Sequence, residues 1–410
     1  MVPKPPLSNR AQSLVDASPL PTYIAEHLER STDSVPDDPN PYIGLAIAQN
    51  LLMWDILEPQ INRDRDVDPA SVAYGETAGS LEIRKMIASF GSKHIWGRTV
   101  DPDDVVLFAG AGAILEMLFF ALADPGEGVL VPTPSYAFYW TDLETRDELT
   151  IVPVHTSSSD DFRLTPELLE AASSRSDVPI AALLLTNPVN PTGRMMPRDD
   201  VAACVEWARS RGIHVVVNGI YALSTHGDGM YESLASIVPI GDDIHEVWAF
   251  SKDFAMSGLR AGVLTSTNKD VLAAVAGIGY WSIVSGDTQH LLANMLADDV
   301  WVERYLTEMR ARLSISYETT TAALKTAGIP YVEADAGLFL LADFRRFMDE
   351  PTWAEEDRIW RLILNEADVN LTPGSACQIG EPGFMRICFA TEPPEVVASA
   401  INRIGLLLAS

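Results

Sequence analysis

The sequence predicts an α/β protein, in which a large domain is built on a mostly parallel β-sheet and a smaller domain is α+β. Short, continuously apolar segments alternate with helical patterns through the middle of the chain. Such segments are typical of strands that are buried on both faces of a parallel sheet. The predicted strands are 104–108, 128–132, 180–185, 212–217 and 247–250, and a helix is predicted at 113–123.

The pattern changes after about residue 287, where the smaller domain is expected. Its predicted elements are a long helix from Thr288 towards Thr326, strands at 331–332 and 338–342, a helix at 353–366, a strand at 385–389 and a last helix from Pro394. The first 40 or so residues are rich in Pro, Ser and Asp and predict an irregular arm with one short helix at 21–31. We therefore assign the large domain to residues 46–289, and the N-terminal arm and small domain to residues 1–45 and 290–410.

Composition and charge argue against several classes of partner. The 410 residues include 29 Lys and Arg against 57 Asp and Glu, so the formal net charge is −28. So acidic a chain is expected to bind neither nucleic acid nor an anionic membrane. No run of about 18 apolar residues is present, and the N-terminus lacks the apolar stretch of a signal peptide. Three cysteines without pair spacing indicate neither disulfides nor a zinc site, so we expect a cytoplasmic protein without a metal.

Lys252 follows an apolar strand in the segment AFSKDFAMSGLRAG and is the candidate catalytic residue. A lysine amine can condense with an aldehyde cofactor, and this bond can then be exchanged for the amine of a substrate. Arg260, eight residues later, could hold a phosphate group through two parallel hydrogen bonds. The alternative is a surface lysine and a surface arginine, which is the commoner case for an isolated lysine.

Other candidates stand where predicted strands end. The AGAG loop, 109–112, leads into a helix whose first amides could receive an anion, although a tight turn also favours glycine. Asn190 in TNPVNPTG and Tyr221 in NGIYALS could bind one ring hydroxyl, the alternative for Tyr221 being a buried tyrosine with another partner. Tyr136 in PTPSYAF could lie on a flat cofactor, although core packing is the usual role of an isolated tyrosine.

Arg386 is a lone cation on an apolar strand, in the segment FMRICFA. A cation in such a position requires an anionic partner, because burying an unpaired charge is costly. A substrate carboxylate and a structural salt bridge both satisfy this requirement.

Taken together, these motifs resemble the aminotransferase class I and II family of pyridoxal 5′-phosphate (PLP) enzymes. They occur in the family's order over nearly the whole chain, as YGETAGSLEIRKMI, AGAG, PTPSYAF, NPVNPTG, residues 218–221, SKDF with GLRAG, and FMRICFA. The resemblance implies the aspartate-aminotransferase fold and a homodimer whose active sites are shared between subunits. Within the family, IAQNLLMWDIL, VSGDTQHLLANML and EPGFMRICFA are most similar to 1-aminocyclopropane-1-carboxylate (ACC) synthases.

The resemblance also implies a role for each candidate residue. Lys252 would carry the cofactor and move protons, and Arg386 would bind the α-carboxylate of the substrate. The remaining implied positions are Asn190 and Tyr221 at the ring hydroxyl, Asn218 at the ring nitrogen, Tyr136 on the ring face, Ala111, Gly112, Ser251 and Arg260 around the phosphate, Ala48 and Gln49 beside the substrate, and Tyr74 or Thr77 at the neighbouring subunit's cofactor.

The sequence departs from the family pattern at several positions. The family has an Asp-Glu pair where this chain has Asn218 and Gly219, and a neutral Asn218 cannot keep the ring nitrogen protonated by its charge. Ala249 and Gly112 replace residues that carry hydroxyl groups around the phosphate. ACC synthases have Ala-Glu-Asn-Gln where residues 48–51 are Ala-Gln-Asn-Leu, so a carboxylate that would favour a sulfonium substrate is missing.

Three functions remain open at this point. The first is a biosynthetic lyase or transferase that removes the α-proton of S-adenosylmethionine and expels methylthioadenosine, either by ring closure to ACC or by replacement at the γ-carbon. The second is an amino-acid aminotransferase. The third is a cofactor-binding protein without turnover, which Asn218 favours slightly, whereas retention of Lys252 and Arg386 argues against it. We rank them in this order.

Overall fold

Thirteen strands are present in the computed structural model, which describes residues 5–16, 20–32, 41–67, 69–227 and 229–409. The strands are β1 (Ile43–Gly44), β2 (Val105–Phe108), β3 (Gly128–Thr133), β4 (Thr150–His155), β5 (Ile180–Thr186), β6 (His214–Asn218), β7 (Ile244–Ala249), β8 (Gly262–Ser266), β9 (Tyr331–Val332), β10 (Phe339–Asp343), β11 (Val369–Asn370), β12 (Thr372–Pro373) and β13 (Phe384–Cys388).

The described residues also form fifteen α-helices. They are α1 (Asn9–Asp16), α2 (Thr22–Thr32), α3 (Trp54–Asp64), α4 (Leu81–His94), α5 (Ala111–Leu122), α6 (Tyr139–Glu144), α7 (Pro166–Arg175), α8 (Arg198–Arg209), α9 (Leu234–Ile237), α10 (Phe250–Asp253), α11 (Lys269–Ile278), α12 (Gly286–Ala297), α13 (Asp299–Ala327), α14 (Trp353–Glu366) and α15 (Pro394–Leu408).

The large sheet is mostly parallel, which confirms the predicted α/β class. Its seven strands lie in the order β2-β8-β7-β6-β5-β3-β4. Strand β8 is antiparallel to both of its neighbours, whereas the other four pairs are parallel. Every residue of β2 and of β7 is buried, so both faces of these strands are covered. This double burial explains why the β2 segment VVLF is continuously apolar in sequence, although β7 also buries His245 and Glu246.

Two strands of this sheet are absent from the sequence prediction. Strand β4 is an edge strand with exposed ends at Thr150 and His155 and with Pro153 inside it, so its apolar pattern is broken. Strand β8 has the sequence GVLTS, in which only two of five residues are large and apolar. Both segments form strands because their neighbours in the sheet pair with them.

The single long helix predicted from Thr288 towards Thr326 is wrong, because the structure has two helices, α12 and α13. The break falls at Asp298, which has φ −92° and ψ 80°. Its side chain accepts a hydrogen bond from the backbone N–H of Trp301 and so caps the start of α13. An aspartate that caps a helix looks like an ordinary polar helix residue in a sequence pattern.

The N-terminal segment contains two helices where one was predicted. Helix α2 corresponds to the prediction at 21–31, α1 was not predicted, and residues 33–40 of the predicted arm lie outside the described residues. Strand β1 then pairs in parallel with β11, with Ile43 opposite Val369. The segment that leads into the large sheet is therefore joined to the C-terminal part of the chain. The domain division at 46–289 stays a prediction.

The C-terminal part carries a four-stranded antiparallel sheet in the order β12-β13-β10-β9. Arg386 lies on β13, opposite Leu341 of β10 and Thr372 of β12. Strand β13 is an inner strand and all of its residues are buried, so the side chain of Arg386 is buried as well. The small sheet thereby brings a cation to the boundary with the large sheet.

No single helix in the described part of the chain is long and apolar enough to cross a bilayer. The only combination that reaches the required length adds two helical pieces, 269–282 and 286–297, that are bent by 119° relative to each other.

A close backbone contact fixes the loop that precedes α5. A Cβ atom at Gly262, the first residue of β8, would lie 2.4 Å from the carbonyl carbon of Gly110 and 2.7 Å from the nitrogen of Ala111. These are backbone atoms, so they cannot rotate out of the way as a flexible side chain could. Gly262 therefore sets the position of the Ala109–Gly112 loop against the sheet.

We expect Gly262→Ala to lower the free energy of unfolding by about 1–3 kcal/mol, since it overpacks this contact. The control is Gly277→Ala on the exposed face of α11, where a Cβ meets nothing within 4 Å. That change should be neutral or stabilising by up to about 1 kcal/mol, because alanine favours a helix. Urea denaturation of both variants measures the difference, and equal stabilities would contradict the assigned contact.

Candidate active site

The ends of the large sheet and the small sheet enclose a cavity of about 310 Å³. Eleven of the site residues predicted from the sequence line it, namely Ala48, Ala111, Gly112, Tyr136, Asn190, Asn218, Tyr221, Ser251, Lys252, Arg260 and Arg386. A larger cleft of about 670 Å³ shares Asn190 and Thr186 with this cavity and contains none of the other predicted residues. The smaller cavity is therefore the candidate active site, because the chemically reactive groups face it.

Lys252 lies on the short helix α10, directly after the buried strand β7. Its amine donates a hydrogen bond to the backbone carbonyl of Ala48. Burial lowers the pKa of Lys252 to about 8, because the charged ammonium loses the solvation of water. A larger fraction of the amine is therefore neutral near neutral pH, which makes it a better nucleophile and proton acceptor.

Asp253, the next residue, anchors the backbone that carries this lysine. Its carboxylate accepts hydrogen bonds from the indole N–H of Trp248 at 2.8 Å, the hydroxyl of Ser224 at 2.6 Å and the backbone N–H of Leu223 at 3.1 Å. Phe254 stacks on Tyr305 of α13, with ring centroids 5.2 Å apart. These contacts fix the two residues that follow Lys252, and so they fix the backbone from which its side chain extends.

The start of α5 and Arg260 form a cradle for an anion. Gly110 precedes α5 with φ 91°, and no side chain caps the first amides of this helix. Arg260 has φ 53° and donates to the backbone carbonyls of Ser257 at 3.1 Å and Ala109 at 3.4 Å. Among the described residues it has no carboxylate partner, so its charge is available to a ligand. A phosphate group fits an open helix N-terminus beside a guanidinium.

Arg386 is 4% exposed and is held by neutral oxygen atoms. It donates to the side-chain carbonyl of Asn190 at 3.0 Å, to the backbone carbonyl of Ala46 at 2.6 Å and to the hydroxyl of Thr372 at 3.1 Å. Its Nε has no hydrogen-bond partner in the described structure. The salt-bridge alternative is wrong within those residues, since no carboxylate lies within bonding distance of Arg386. The arrangement leaves a buried cation that a ligand carboxylate would pair.

Asn190 also contacts Tyr221, because its amide lies 3.4 Å from the tyrosine oxygen. Burial raises the pKa of the Tyr221 hydroxyl, against the opposing effect of the nearby Arg386 guanidinium. The hydroxyl is therefore neutral and able to donate a hydrogen bond. The three side chains form one polar row from the small sheet to the large sheet.

Asn218, at the end of β6, is held in a defined orientation. Its side-chain oxygen accepts from the backbone N–H of Ile220 at 3.3 Å, and its amide donates to the Tyr139 hydroxyl at 2.8 Å. The same hydroxyl lies 2.7 Å from that of Thr186, and burial raises the pKa of Tyr139 to about 12. Asn218 therefore presents a neutral amide to the cavity.

Several residues that line the cavity were not among the predicted site residues. Tyr139, the first residue of α6, follows Tyr136 by three residues, and their rings meet edge to face with centroids 5.3 Å apart. This spacing is a signal that could have identified Tyr139. Asp142 lies one further turn along α6, and Tyr23 arrives from α2 at the other end of the sequence. No local signal indicates those two residues, because only tertiary packing brings them to the cavity.

Two predicted residues lie elsewhere in the chain. Gln49 is half-buried and does not line the cavity, although its neighbour Ala48 does. The side chain of Tyr74 is fully exposed and borders a separate cleft. The assignments of Gln49 to the substrate and of Tyr74 or Thr77 to a neighbouring subunit stay predictions.

The fold and this cavity define a class of enzyme that carries an aldehyde cofactor on a buried lysine. The sequence model described as aminotransferase class I and II matches residues 42–404, and the chain belongs to this family. Enzymes of the family depend on PLP, so the predicted cofactor is confirmed.

Within this family, the chain is similar in sequence to ACC synthases. 1-Aminocyclopropane-1-carboxylate synthase 6 of Arabidopsis thaliana is 34% identical over 387 residues, which cover 90% of this chain and 78% of that protein. The similarly named synthase 2 of Solanum lycopersicum is 33% identical, covering 90% and 80%. Among solved structures, aspartate aminotransferase from Thermus thermophilus superposes with a TM-score of 0.82 at 21% identity, covering 98% of this chain and all of that one. This last likeness supports the fold only, and the predicted aspartate-aminotransferase fold is confirmed.

The residues present fit PLP. Lys252 offers the amine for the aldehyde, and the open start of α5 with Arg260 offers a site for the phosphate group. Asn190 and Tyr221 offer hydrogen bonds for the ring hydroxyl, and Tyr136 offers a flat ring.

We expect Lys252→Ala to lose the visible absorbance band that PLP gives when it is bound to a lysine, because no other lysine in the described part of the chain lines the cavity. The absorbance spectrum of the purified, PLP-loaded protein measures this loss. Lys269→Ala is the control, since Lys269 is an exposed lysine that donates to Asp104. An unchanged band in the Lys252 variant would contradict the assignment.

Proposed function

We propose that this PLP-dependent enzyme acts on S-adenosylmethionine, removes its α-proton and releases methylthioadenosine, either with closure to ACC or with replacement at the γ-carbon. The observation that carries the proposal is the identity of 33–34% to ACC synthases over 90% of the chain. The cavity supports it with a single buried arginine, Arg386, beside a lysine of lowered pKa.

Within one described chain, the cavity has no second free cation for an aminotransferase substrate that carries two carboxylates. Such a substrate needs a cation for each carboxylate. Within the described part of one chain, the cations that line the cavity are Lys252, Arg260 and Arg386. Lys252 and Arg260 serve the cofactor in the proposed arrangement, so one cation remains for one substrate carboxylate. An aminotransferase for other amino acids is the second candidate.

In the proposed reaction, Arg386, Lys252 and the carbonyl group of Ala48 have separate roles. Arg386 binds the α-carboxylate through its two N–H groups, one on Nε and one on Nη1, that make no hydrogen bond in the described structure. When bound, the cofactor supplies an electron-withdrawing ring that stabilises negative charge at the α-carbon. Lys252 Nζ accepts the α-proton, since its pKa of about 8 leaves a larger fraction of the amine neutral near pH 7 than in an ordinary lysine. The Ala48 carbonyl accepts a hydrogen bond from the same nitrogen and keeps it oriented.

We also propose that the protein acts as a homodimer in the cytoplasm. Several large apolar side chains are exposed on one chain, and Val72 and Tyr74 among them border the same cleft, which a partner chain would cover. These side chains are Leu51, Trp54, Val72, Tyr74, Tyr280 and Trp281. In the dimer Tyr74 reaches the cofactor of the neighbouring subunit. The three free, buried cysteines are consistent with a reducing compartment.

Incubation of the PLP-loaded protein with S-adenosylmethionine should release methylthioadenosine, and mass spectrometry of the products tests this. ACC in equal amount would identify ring closure, whereas methylthioadenosine without ACC would identify γ-replacement or elimination. L-Methionine is the matched control, because it lacks the positive sulfonium and its good leaving group. Neither product, together with an unchanged absorbance spectrum, would overturn the proposed substrate. Formation of a keto acid would then favour the aminotransferase.

Asn218→Asp should accelerate exchange of the substrate α-proton by about tenfold or more, because a carboxylate at this position favours a protonated ring nitrogen. Proton NMR of an amino acid in deuterated water measures the exchange. The neutral variant Asn218→Ser is the control and should not accelerate it. Equal rates for the Asp variant and the unmodified protein would mean that another group sets the charge of the ring nitrogen.

A further inference from the structure

Asp142 is a carboxyl group that lines the cavity without an evident role. It lies on α6, one helical turn after Tyr139, and it is half-buried. A Cβ atom at Gly112 would lie 3.8 Å from one oxygen of Asp142 and 3.9 Å from the other. The carboxyl group therefore faces the first turn of α5, where the proposed phosphate site begins.

This part of the phosphate cradle lacks side-chain donors. The loop before α5 and its first residues are Ala109, Gly110, Ala111 and Gly112, so only backbone amides can donate there. Within the described structure, the Asp142 carboxyl group has no hydrogen-bond or ion-pair partner. The side of the cradle formed by this loop therefore has no side-chain hydrogen-bond donor. The carboxyl group of Asp142 lies on that side, next to Gly112.

The surroundings of Asp142 favour its neutral form. Burial raises its pKa to about 7, and the negative charge of Glu116 on α5 adds to this effect. Glu116 itself pairs with Arg146 at 3.0 Å, so Arg146 is not free to neutralise Asp142. The other charged or titratable groups nearby are Tyr136 and Tyr139, which are neutral, Asp147, and, across the cavity, Lys252 and Arg260.

We propose that Asp142 is a positioning residue for the cofactor, which binds the phosphate group as a neutral carboxyl that donates a hydrogen bond. The inference rests on the proposed placement of the phosphate beside α5 and Arg260. A carboxylic acid is a strong donor to a phosphate oxygen. An ionised carboxylate at the same place repels the phosphate, because two negative charges then lie close together in a partly dry site.

This role gives phosphate binding a defined dependence on pH. Below pH 7 Asp142 keeps its proton and supports the phosphate group. As the pH rises through about 7, the proton is lost and the support becomes repulsion. A bound phosphate raises the pKa of Asp142 further, so binding above pH 7 should be accompanied by uptake of a proton.

The test is calorimetric binding of pyridoxine 5′-phosphate to the full-length chain after removal of its cofactor, between pH 6 and 8.5. This compound has the ring and the phosphate but no aldehyde, so the titration of Lys252 does not enter through bond formation. We expect Asp142→Asn to bind it about tenfold more tightly than the unmodified protein at pH 8.5, a factor that corresponds to one pKa unit of coupling. At pH 6 the two proteins should agree within about twofold, since both then carry a neutral group.

Two controls isolate the phosphate. Pyridoxine, which lacks the phosphate, should bind both proteins equally at every pH. Asp147→Asn removes another buried carboxyl whose pKa is raised to about 7 beside the same Glu116 but which does not line the cavity. This variant should follow the pH curve of the unmodified protein.

The outcomes separate this inference from the proposed cofactor site. If pyridoxine 5′-phosphate binds but the Asp142→Asn curve coincides with that of the unmodified protein, the role of Asp142 is overturned and the site stands. If Lys252→Ala keeps the visible absorbance band, the site itself is wrong. Phosphorus NMR of the unmodified, PLP-loaded protein is a second measurement that needs no folded variant. Its phosphate resonance should titrate above pH 7, and a constant resonance would also overturn the role of Asp142.

Discussion

The site depends on the burial of a cation without an internal anion. Arg386 is almost fully buried, yet its partners are the neutral oxygens of Asn190, Ala46 and Thr372. Removing a charge from water is unfavourable unless an anion compensates it, and hydrogen bonds to neutral groups compensate it only in part. In the proposed function, this uncompensated charge is the reason why the cavity binds the carboxylate of a substrate. A protein that satisfied Arg386 internally would be more stable and would bind its substrate less well.

The same arginine connects parts of the chain that are distant in sequence. Arg386 belongs to the small sheet, Asn190 to a loop after the large sheet, and Ala46 to the segment that follows β1. Ala46 and Ala48 lie in one short stretch, and the carbonyl of Ala48 accepts from Lys252. The stretch from Ala46 to Ala48 therefore accepts hydrogen bonds from both Arg386 and Lys252. A displacement of the small sheet would move Arg386 and, through the carbonyl groups of Ala46 and Ala48, the hydrogen-bond partner of Lys252.

The predicted residues that the structure brings to one cavity are those whose position local structure determines. Lys252, Asn190, Asn218 and Tyr221 follow buried strands, and the ends of neighbouring parallel strands meet at one edge of a sheet. Sequence reasoning failed where tertiary packing decides, as for Tyr23 from α2 and Asp142 from α6. The edge strand β4 and the helix break at Asp298 were missed for a related reason. Pairing with neighbours or one capping hydrogen bond overrides the local apolar pattern there.

The charge balance of the cavity also bears on a cationic substrate. Arg260 and Arg386 supply the lasting positive charges. Asn218 is a neutral amide, and burial raises the pKa of the Asp142 carboxyl to about 7, so neither residue adds a full negative charge at neutral pH. A phosphate dianion and an α-carboxylate together bring about three negative charges at neutral pH. In the proposed arrangement the sulfonium enters together with the α-carboxylate that pairs with Arg386, beside a phosphate dianion that Arg260 compensates only in part, so it meets little repulsion. The net charge of −28 on the chain adds a long-range attraction for such a substrate.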